Sequence, residues 1–286
     1  MRYEEFLKTK NIDVKNSGFD PGPINQKLFN FQRDIARWNL KKGRSATFAG
    51  TGLGKTPIQL ENANQICEHS GGNVLILAPL AVSSQTVREG NKFNINVNSC
   101  RGQEDVKKGI NITNYEMLHN FDPKKFAGII LDESSILKAY NGKTRTQIIE
   151  TFKDTPYKLA CTATPAPNDY MELGNHAEFL GVMTRNEMLS TFFVHDGSNT
   201  SQWRLKGHAV KEFWQWVASW AVMLTKPSDL GYEDGAFALP PLNMHEIVIK
   251  SKNTTDGYLF AIEAKTLQER QAARRSTALE RAKACA

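Results

Sequence analysis

A glycine-rich turn carries the densest chemistry in this sequence: Ala49-Gly50-Thr51-Gly52-Leu53-Gly54-Lys55-Thr56. Closely spaced glycines let successive backbone N–H groups turn inward and cradle phosphate oxygens. A helix starting there adds its positive dipole end. In that setting Lys55 neutralises β- and γ-phosphates and the Thr56 hydroxyl ligates Mg²⁺. Pro57 suits the first helical turn, because the N–H it lacks has no intrahelical partner there. The strict phosphate-loop pattern has glycine where this chain has Ala49, a position alanine can fill if its φ is ordinary. A glycine-rich turn with a surface lysine is the competing reading. The apolar run before the turn and the helix-like segment after it weigh against that reading.

A second group is acidic. Asp132-Glu133-Ser134-Ser135 follows the apolar run 128–131. Alone, an Asp-Glu pair reads as a solvated loop or a cap. At the carboxyl end of a buried parallel strand, it sits on the edge where α/β sheets bind ligands. There Asp132 can hold Mg²⁺ through its water shell, and Glu133 can orient and deprotonate the water that attacks a γ-phosphate. Thr162-Ala163-Thr164-Pro165 follows another β-rich run, 157–161. The hydroxyls of Thr162 and Thr164 belong either to an ordinary turn or to a relay that hydrogen-bonds the acids.

These groups need an α/β scaffold, and residues 45–165 carry its pattern. β-rich runs at 46–49, 73–78, 95–99, 110–113, 128–131 and 157–162 alternate with stretches such as 57–69 and 83–92. Those stretches are long enough for crossover helices. Several runs are apolar nearly throughout, as strands buried on both faces of a parallel sheet are. The expected core is α/β with three layers. After residue 181 the strands thin out. Phe213, Trp216, Trp220 and Leu224 recur at helical spacing, which predicts a buried helix face in preference to a base-stacking platform. A β-like run at 245–250 follows, then a helix-forming segment at 259–286 without Gly or Pro. Its basic residues Lys265, Arg270, Arg274, Arg275, Arg281 and Lys283 read as a solvated face.

Composition narrows the field. The 286 residues are 40% hydrophobic and 23% charged, a globular balance, and the apolar runs exclude disorder as the dominant state. No stretch approaches the ~20 apolar residues of a membrane helix. Glu4 and Glu5 stand where a signal peptide has its apolar core. Cys67, Cys100, Cys161 and Cys285 are scattered singly, unlike a disulfide framework or a zinc site. A net charge of +6 permits a polyanionic partner without requiring one.

Taken in order, six segments resemble the first motor lobe of a superfamily-two DNA helicase or translocase. They are Phe31-Gln32, Ala49 to Thr56, Ala78-Pro79-Leu80, Ile112-Thr113-Asn114-Tyr115-Glu116, Asp132 to Ser135, and Thr162 to Pro165. The flavour is Swi/Snf-like (DEAD/DEAH-box-like), of phage or bacterial type. The resemblance covers residues 25–180 and extends weakly through Leu239-Pro240-Pro241. It implies a RecA-like P-loop three-layer fold with a mostly parallel sheet, plus a helical appendage. It also implies an ATP-binding lobe over 1–180, a Trp-rich helical insertion over 181–240, and the start of an incomplete second lobe or a linker helix over 241–286.

Roles follow from the same resemblance. Gln32 would read adenine, giving an ATP preference, while Gly50, Thr51, Gly52, Leu53, Gly54, Lys55 and Thr56 hold the nucleotide. Thr56 and Asp132 hold Mg²⁺, Glu133 is the base, and Thr162 and Thr164 couple hydrolysis to grip. Pro79, Leu80, Thr113, Asn114 and Tyr115 approach the nucleic-acid backbone, a contact with little base specificity. Such a family often begins the phosphate loop with alanine. Ser134-Ser135 departs from its best-known members, which have Ala-Asp or Ala-His there.

The implied function is the first lobe of an ATP-dependent DNA motor, in the cytoplasm of a bacterial cell or phage-infected host and without a membrane. DNA over RNA rests on the Swi/Snf-like flavour alone. The resemblance also implies a second lobe with an arginine finger, and no strand-plus-arginine motif follows Leu239. An ATP- or nucleic-acid-binding module with negligible turnover therefore stays open, because such a finger is worth about 10³–10⁵ in rate. A small-molecule P-loop kinase is a weaker alternative. Glu133 beside Asp132, with the Thr162 to Pro165 turn, suits hydrolysis coupled to a polymer.

Overall fold

The computed structural model describes residues 16–138, 142–196, 199–238, 243–244, 246 and 266–285. They fall into two units, divided between Ala238 and Leu239. The first unit contains the strands β1 (Arg44–Ala49), β2 (Asn73–Ala78), β3 (Val97–Ser99), β4 (Ile110–Asn114), β5 (Phe126–Asp132), β6 (Tyr157–Thr162), β7 (Phe193–Asp196), β8 (Asn199–Leu205) and β9 (Ala221–Leu224). Seven of them form one sheet in the order β3-β4-β2-β5-β6-β1-β9. Every pairing in that sheet is parallel. β7 and β8 form a separate antiparallel pair.

Helices cover both faces of the sheet. They are α1 (Asn30–Lys42), α2 (Lys55–Ser70), α3 (Ser83–Lys92), α4 (Lys143–Thr151), α5 (Leu173–Leu180), α6 (Arg185–Phe192) and α7 (Val210–Trp220). Alternate strand residues point to opposite faces, and the buried clusters follow that alternation. Val74, Ile76, Ile130, Leu159 and Cys161 pack with Leu40 of α1 and Leu60, Ala63 and Ile66 of α2. Leu75, Leu77, Ile129, Leu131 and Ala160 pack with residues of α4 to α7. This is the expected three-layer fold. Because β5, β6 and β1 are parallel neighbours, Asp132, Thr162 and Ala49 arrive together at one carboxyl edge.

The tryptophan-rich stretch, expected as a helical insertion, differs from that form in two respects, the first being the antiparallel β7–β8 pair, which carries Trp203 on β8. Phe213, Trp216 and Trp220 do share a buried face of α7, but Leu224 is not on that helix. Ala221 is already extended (φ −131°, ψ 140°), and residues 221–224 pair in parallel with Ala46 to Ala49 of β1. The open edge of β1 offers backbone hydrogen bonds that outweigh a fourth helical turn for this short apolar segment. Helical spacing therefore overran into a strand.

In the second unit, α8 (Leu267–Ser276) and α9 (Ala278–Cys285) divide the expected helical segment at Thr277. α8 opens on a capping box: the Thr266 hydroxyl accepts from the Glu269 N–H at 3.2 Å, and Glu269 Oε2 accepts from the Thr266 N–H at 2.9 Å. Arg270, Arg274, Arg275, Arg281 and Lys283 are all exposed. The expected β-like run at 245–250, Glu246 apart, and Lys265 lie outside the described residues. Among the described residues no helix is long and apolar enough to cross a membrane.

Trp220 ends α7, is fully buried, and meets Phe48 of β1 and Trp216 edge-on at 6.1 and 5.3 Å. Trp220→Ala is expected to cost about 3–5 kcal/mol of unfolding free energy, read as a lower urea midpoint. A loss below ~1 kcal/mol would show that this contact does not hold β9 to the sheet.

Candidate nucleotide-binding site

β1 hands the chain to the glycine turn at Ala49, which is buried and has no positive φ. The Gly50 N–H donates to the Leu224 carbonyl of β9 at 2.9 Å, and the Leu53 N–H donates to the Gly50 carbonyl at 3.4 Å. Gly52 (φ 87°) and Gly54 (φ 77°) are left-handed, a conformation that costs other L-residues about 1–2 kcal/mol. The Leu53 side chain descends into a small core with Phe31, Ile35, Ala49, Ile58 and Leu224. Thr51 and Gly52 stay exposed. The turn is fastened from below and open above.

Gln32 braces this turn from α1. It is buried, its Nε2 donates to the Leu53 carbonyl at 3.0 Å, and its Oε1 accepts from the Phe29 N–H at 3.1 Å. By valence, one amide hydrogen and one lone pair are left over from these two bonds. Lys55 Nζ lies 3.1 Å from the Ala49 carbonyl and 3.4 Å from that of Gly50, so its charge rests against the loop. Thr56 follows in the first turn of α2, half-buried.

The acids stand two strands away. Asp132 is only 5% exposed, and its Oδ1 accepts from Gln59 Nε2 of α2 at 2.7 Å. Burial raises its carboxyl above the usual range, and the Glu133 charge adds to that, while Gln59 and Lys55 pull the other way. The Asp132 carbonyl accepts from the Tyr115 hydroxyl at 2.6 Å. Glu133 carries φ 52°, uncommon for a residue with a side chain. Its Oε2 accepts from the Thr162 hydroxyl of β6 at 3.2 Å. The same Thr162 oxygen accepts from the Thr164 N–H at 3.1 Å. A continuous set of bonds thus runs from the hydroxyl turn to the acidic pair.

The five residues expected at nucleic acid separate by exposure. Pro79 and Leu80 follow β2, and Leu80 is 72% exposed. Thr113 and Tyr115 are buried, and the Asn114 side chain caps the following turn by accepting from the Met117 N–H at 3.1 Å. Tyr115 in particular faces the acids through its hydroxyl.

Three residues at this site escaped the sequence reading: Gln59, Leu224 and His176. Gln59 had a usable signal, since it lies three residues beyond Thr56 and so on the same helix face. Leu224 acts through its backbone, and His176, 3.1 Å from Ser134 Oγ, comes from forty-two residues downstream. Neither leaves a local pattern.

A Cβ placed on Gly54 would lie 2.3 Å from Gln32 Nε2. Gly54→Ala is therefore expected to lose at least ~1–2 kcal/mol of stability from backbone strain alone. Gln32→Ala in the same chain should recover part of any further loss, a coupling that a double-mutant cycle in urea measures. Purely additive losses would show that the two residues do not oppose each other.

Comparisons with known proteins bear on this arrangement. Residues 27–167 match the family described as type III restriction enzyme, res subunit. The SWI2/SNF2 ATPase core of Sulfolobus solfataricus in complex with dsDNA is similar at 20% identity and a TM-score of 0.61, over 76% of this chain and 48% of that one. A structure of the SWI2/SNF2 ATPase core domain from the same organism is similar at 19% identity and a TM-score of 0.58, over 78% and 47%. The chain thus spans about half the length of these structures. No curated protein matches it. The family match extends from before the glycine turn to beyond the hydroxyl turn, and the chain shares the three-layer parallel fold of those cores, the fold expected of a superfamily-two motor lobe.

Proposed function

We propose that this lobe binds ATP with Mg²⁺ and hydrolyses it in concert with a second lobe, as the first half of a DNA helicase or translocase. The observation that supports the reading best is the joining of three motifs at one sheet edge. Gln59 ties the helix behind the phosphate turn to Asp132, and Thr162 ties the hydroxyl turn to Glu133. In this reading the turn from Gly50 to Gly54 cradles the phosphates through amides such as those of Thr51 and Gly52, the Gly50 N–H being held by the Leu224 carbonyl. Lys55 leaves its loop carbonyls for the β/γ-phosphates, and Gln32 offers its remaining hydrogen-bonding capacity to adenine. Gly52 suits that cradle, since the space beside it is open for a ligand to approach.

The donor set at the next position fits a hard cation. Thr56 contributes a hydroxyl, and Asp132 has one carboxylate oxygen engaged by Gln59, leaving the other for the ion or its water. When bound, Mg²⁺ supplies charge neutralisation along the phosphates. Glu133 then takes a proton from the attacking water as its oxygen bonds to the γ-phosphorus and the bond to the β-phosphate oxygen breaks. Thr162 and Thr164 register the loss of the γ-phosphate through the Glu133 contact. Pro79 and Leu80, at the exposed end of β2, meet the DNA backbone, with the backbone at 113–115 behind them. DNA as the polymer is suggested by the dsDNA bound to the Sulfolobus core. Residues 241–286 belong to the start of a second lobe or a linker, and the protein works in the cytoplasm of a bacterial cell or infected host.

In the full-length protein, Lys55→Ala and Glu133→Gln should each lower DNA-stimulated ATP hydrolysis by at least ~100-fold, while a fluorescent ATP analogue stays bound far better to Glu133→Gln. Retained turnover in Glu133→Gln would remove Glu133 as the base. DNA affinity should fall steeply between 50 and 200 mM salt, on the order of ten-fold or more, as counterion release requires. An affinity indifferent to salt would overturn the backbone-contact reading.

A further inference from the structure

His176 lies outside every motif described so far, yet it reaches the acidic segment. It sits on α5, fully buried, with Nε2 3.1 Å from the hydroxyl of Ser134, which is fully buried as well. Its neighbour Asn175 donates to the carbonyls of Leu137 and Lys138 at 2.8 and 3.2 Å. The short helical turn at Ser134–Lys138 is therefore held at both ends by two consecutive residues of α5. α5 is itself well anchored. Lys158 Nζ donates to the Phe179 carbonyl at 2.9 Å, and Arg145 pairs with Glu178. The His176 ring also stands edge-on to Phe48 of β1, 5.1 Å between centroids.

This matters because of what lies immediately upstream. Glu133 is the single residue between the end of β5 and that turn, and its φ of 52° is one that surroundings must impose. On its amino side, the Tyr115 hydroxyl holds the Asp132 carbonyl. On its carboxyl side the hold is the Ser134–His176 bond. We propose that His176 is a positioning residue for Glu133: by fixing Ser134 it keeps the Glu133 backbone left-handed and its carboxylate aimed at the Thr162 side of the nucleotide cleft. The inference rests on the reading of Glu133 as the base.

The imidazole does this as a neutral group. Burial pushes it down to about 4, against the raising influence of the Glu172 and Ser134 backbones. It is not a proton-transfer group at neutral pH, and its role is to supply a fixed hydrogen-bond partner on a rigid helix. A general base displaced by about 1 Å can lose on the order of 100-fold in rate while substrate binding persists.

The test uses the full-length protein with ATP–Mg²⁺ and duplex DNA. His176→Phe keeps the ring volume and removes the bond, and Ser134→Ala removes only the partner hydroxyl. Both should lower kcat by about 10- to 100-fold, with KM for ATP and affinity for a fluorescent ATP analogue changed less than about two-fold. His176→Gln, which can place an amide near the Nε2 position, should restore part of kcat. In a Glu133→Gln background, His176→Phe should have no further effect on the residual rate. If Glu133→Gln abolishes turnover while Ser134→Ala and His176→Phe keep kcat within two-fold, the positioning role is wrong and the base assignment stands. If Glu133→Gln itself retains most activity, the underlying reading fails, whatever His176 does. Should His176→Phe not fold, Ser134→Ala decides the matter alone.

Discussion

The hydrogen bond from Gln59 to Asp132, 2.7 Å long and inside the protein, is the contact on which the rest of the site depends. A buried carboxylate without partners is costly enough to neutralise itself, and Gln59 supplies an amide donor where water is scarce. Because α2 begins at the glycine turn, that bond does more than satisfy a charge. It links the helix that follows the glycine turn to the acids, although the strands that lead to the two are not adjacent. Asp132 keeps a raised tendency to hold its proton, with burial as the main cause, so the bond moderates the cost without removing it.

Strand order does the remaining alignment. β6 lies between β5 and β1, and Thr162 at its end falls between the acidic pair and the glycine turn. A parallel sheet delivers every carboxyl end to the same edge, so the Thr162 hydroxyl on the middle strand can reach Glu133 on the neighbouring one. β9 contributes by a different route. It closes the free edge of β1, and its last carbonyl takes the Gly50 N–H. The glycine turn thus leans on a strand that arrives some 170 residues later in the chain.

The helical layer on the far face has a matching role. α5 carries His176 and Asn175 against the turn that follows Glu133, while Tyr115 reaches the carbonyl that precedes it. A residue in an unfavourable backbone region persists only when its neighbours over-determine it, and here the neighbours come from β4's end and from α5. Packing of α5 against β1 and α4 therefore bears on the geometry of the acids as much as on stability.

What the sequence determined by itself was local. Glycine spacing before Lys55 and Thr56, the apolar runs of β1 to β6, and the acids after β5 were all legible, because each depends on the conformational preferences of a few consecutive residues. The six core strands and the two crossover helices at 57–69 and 83–92 appear at or close to those positions. What the tertiary structure alone decided was which distant groups meet. Leu224 read as helix because its apolar spacing continues that of α7, and only the unpaired edge of β1 could draw it into a strand. The resemblance places Tyr115 toward the nucleic-acid backbone, yet its hydroxyl bonds the Asp132 carbonyl inside the protein. His176 carried no signal, because its partner lies on another element and side-chain spacing encodes faces, not contacts across a core. Backbone ladders and buried polar pairs are satisfied in space, and local periodicity holds no information about which of them close.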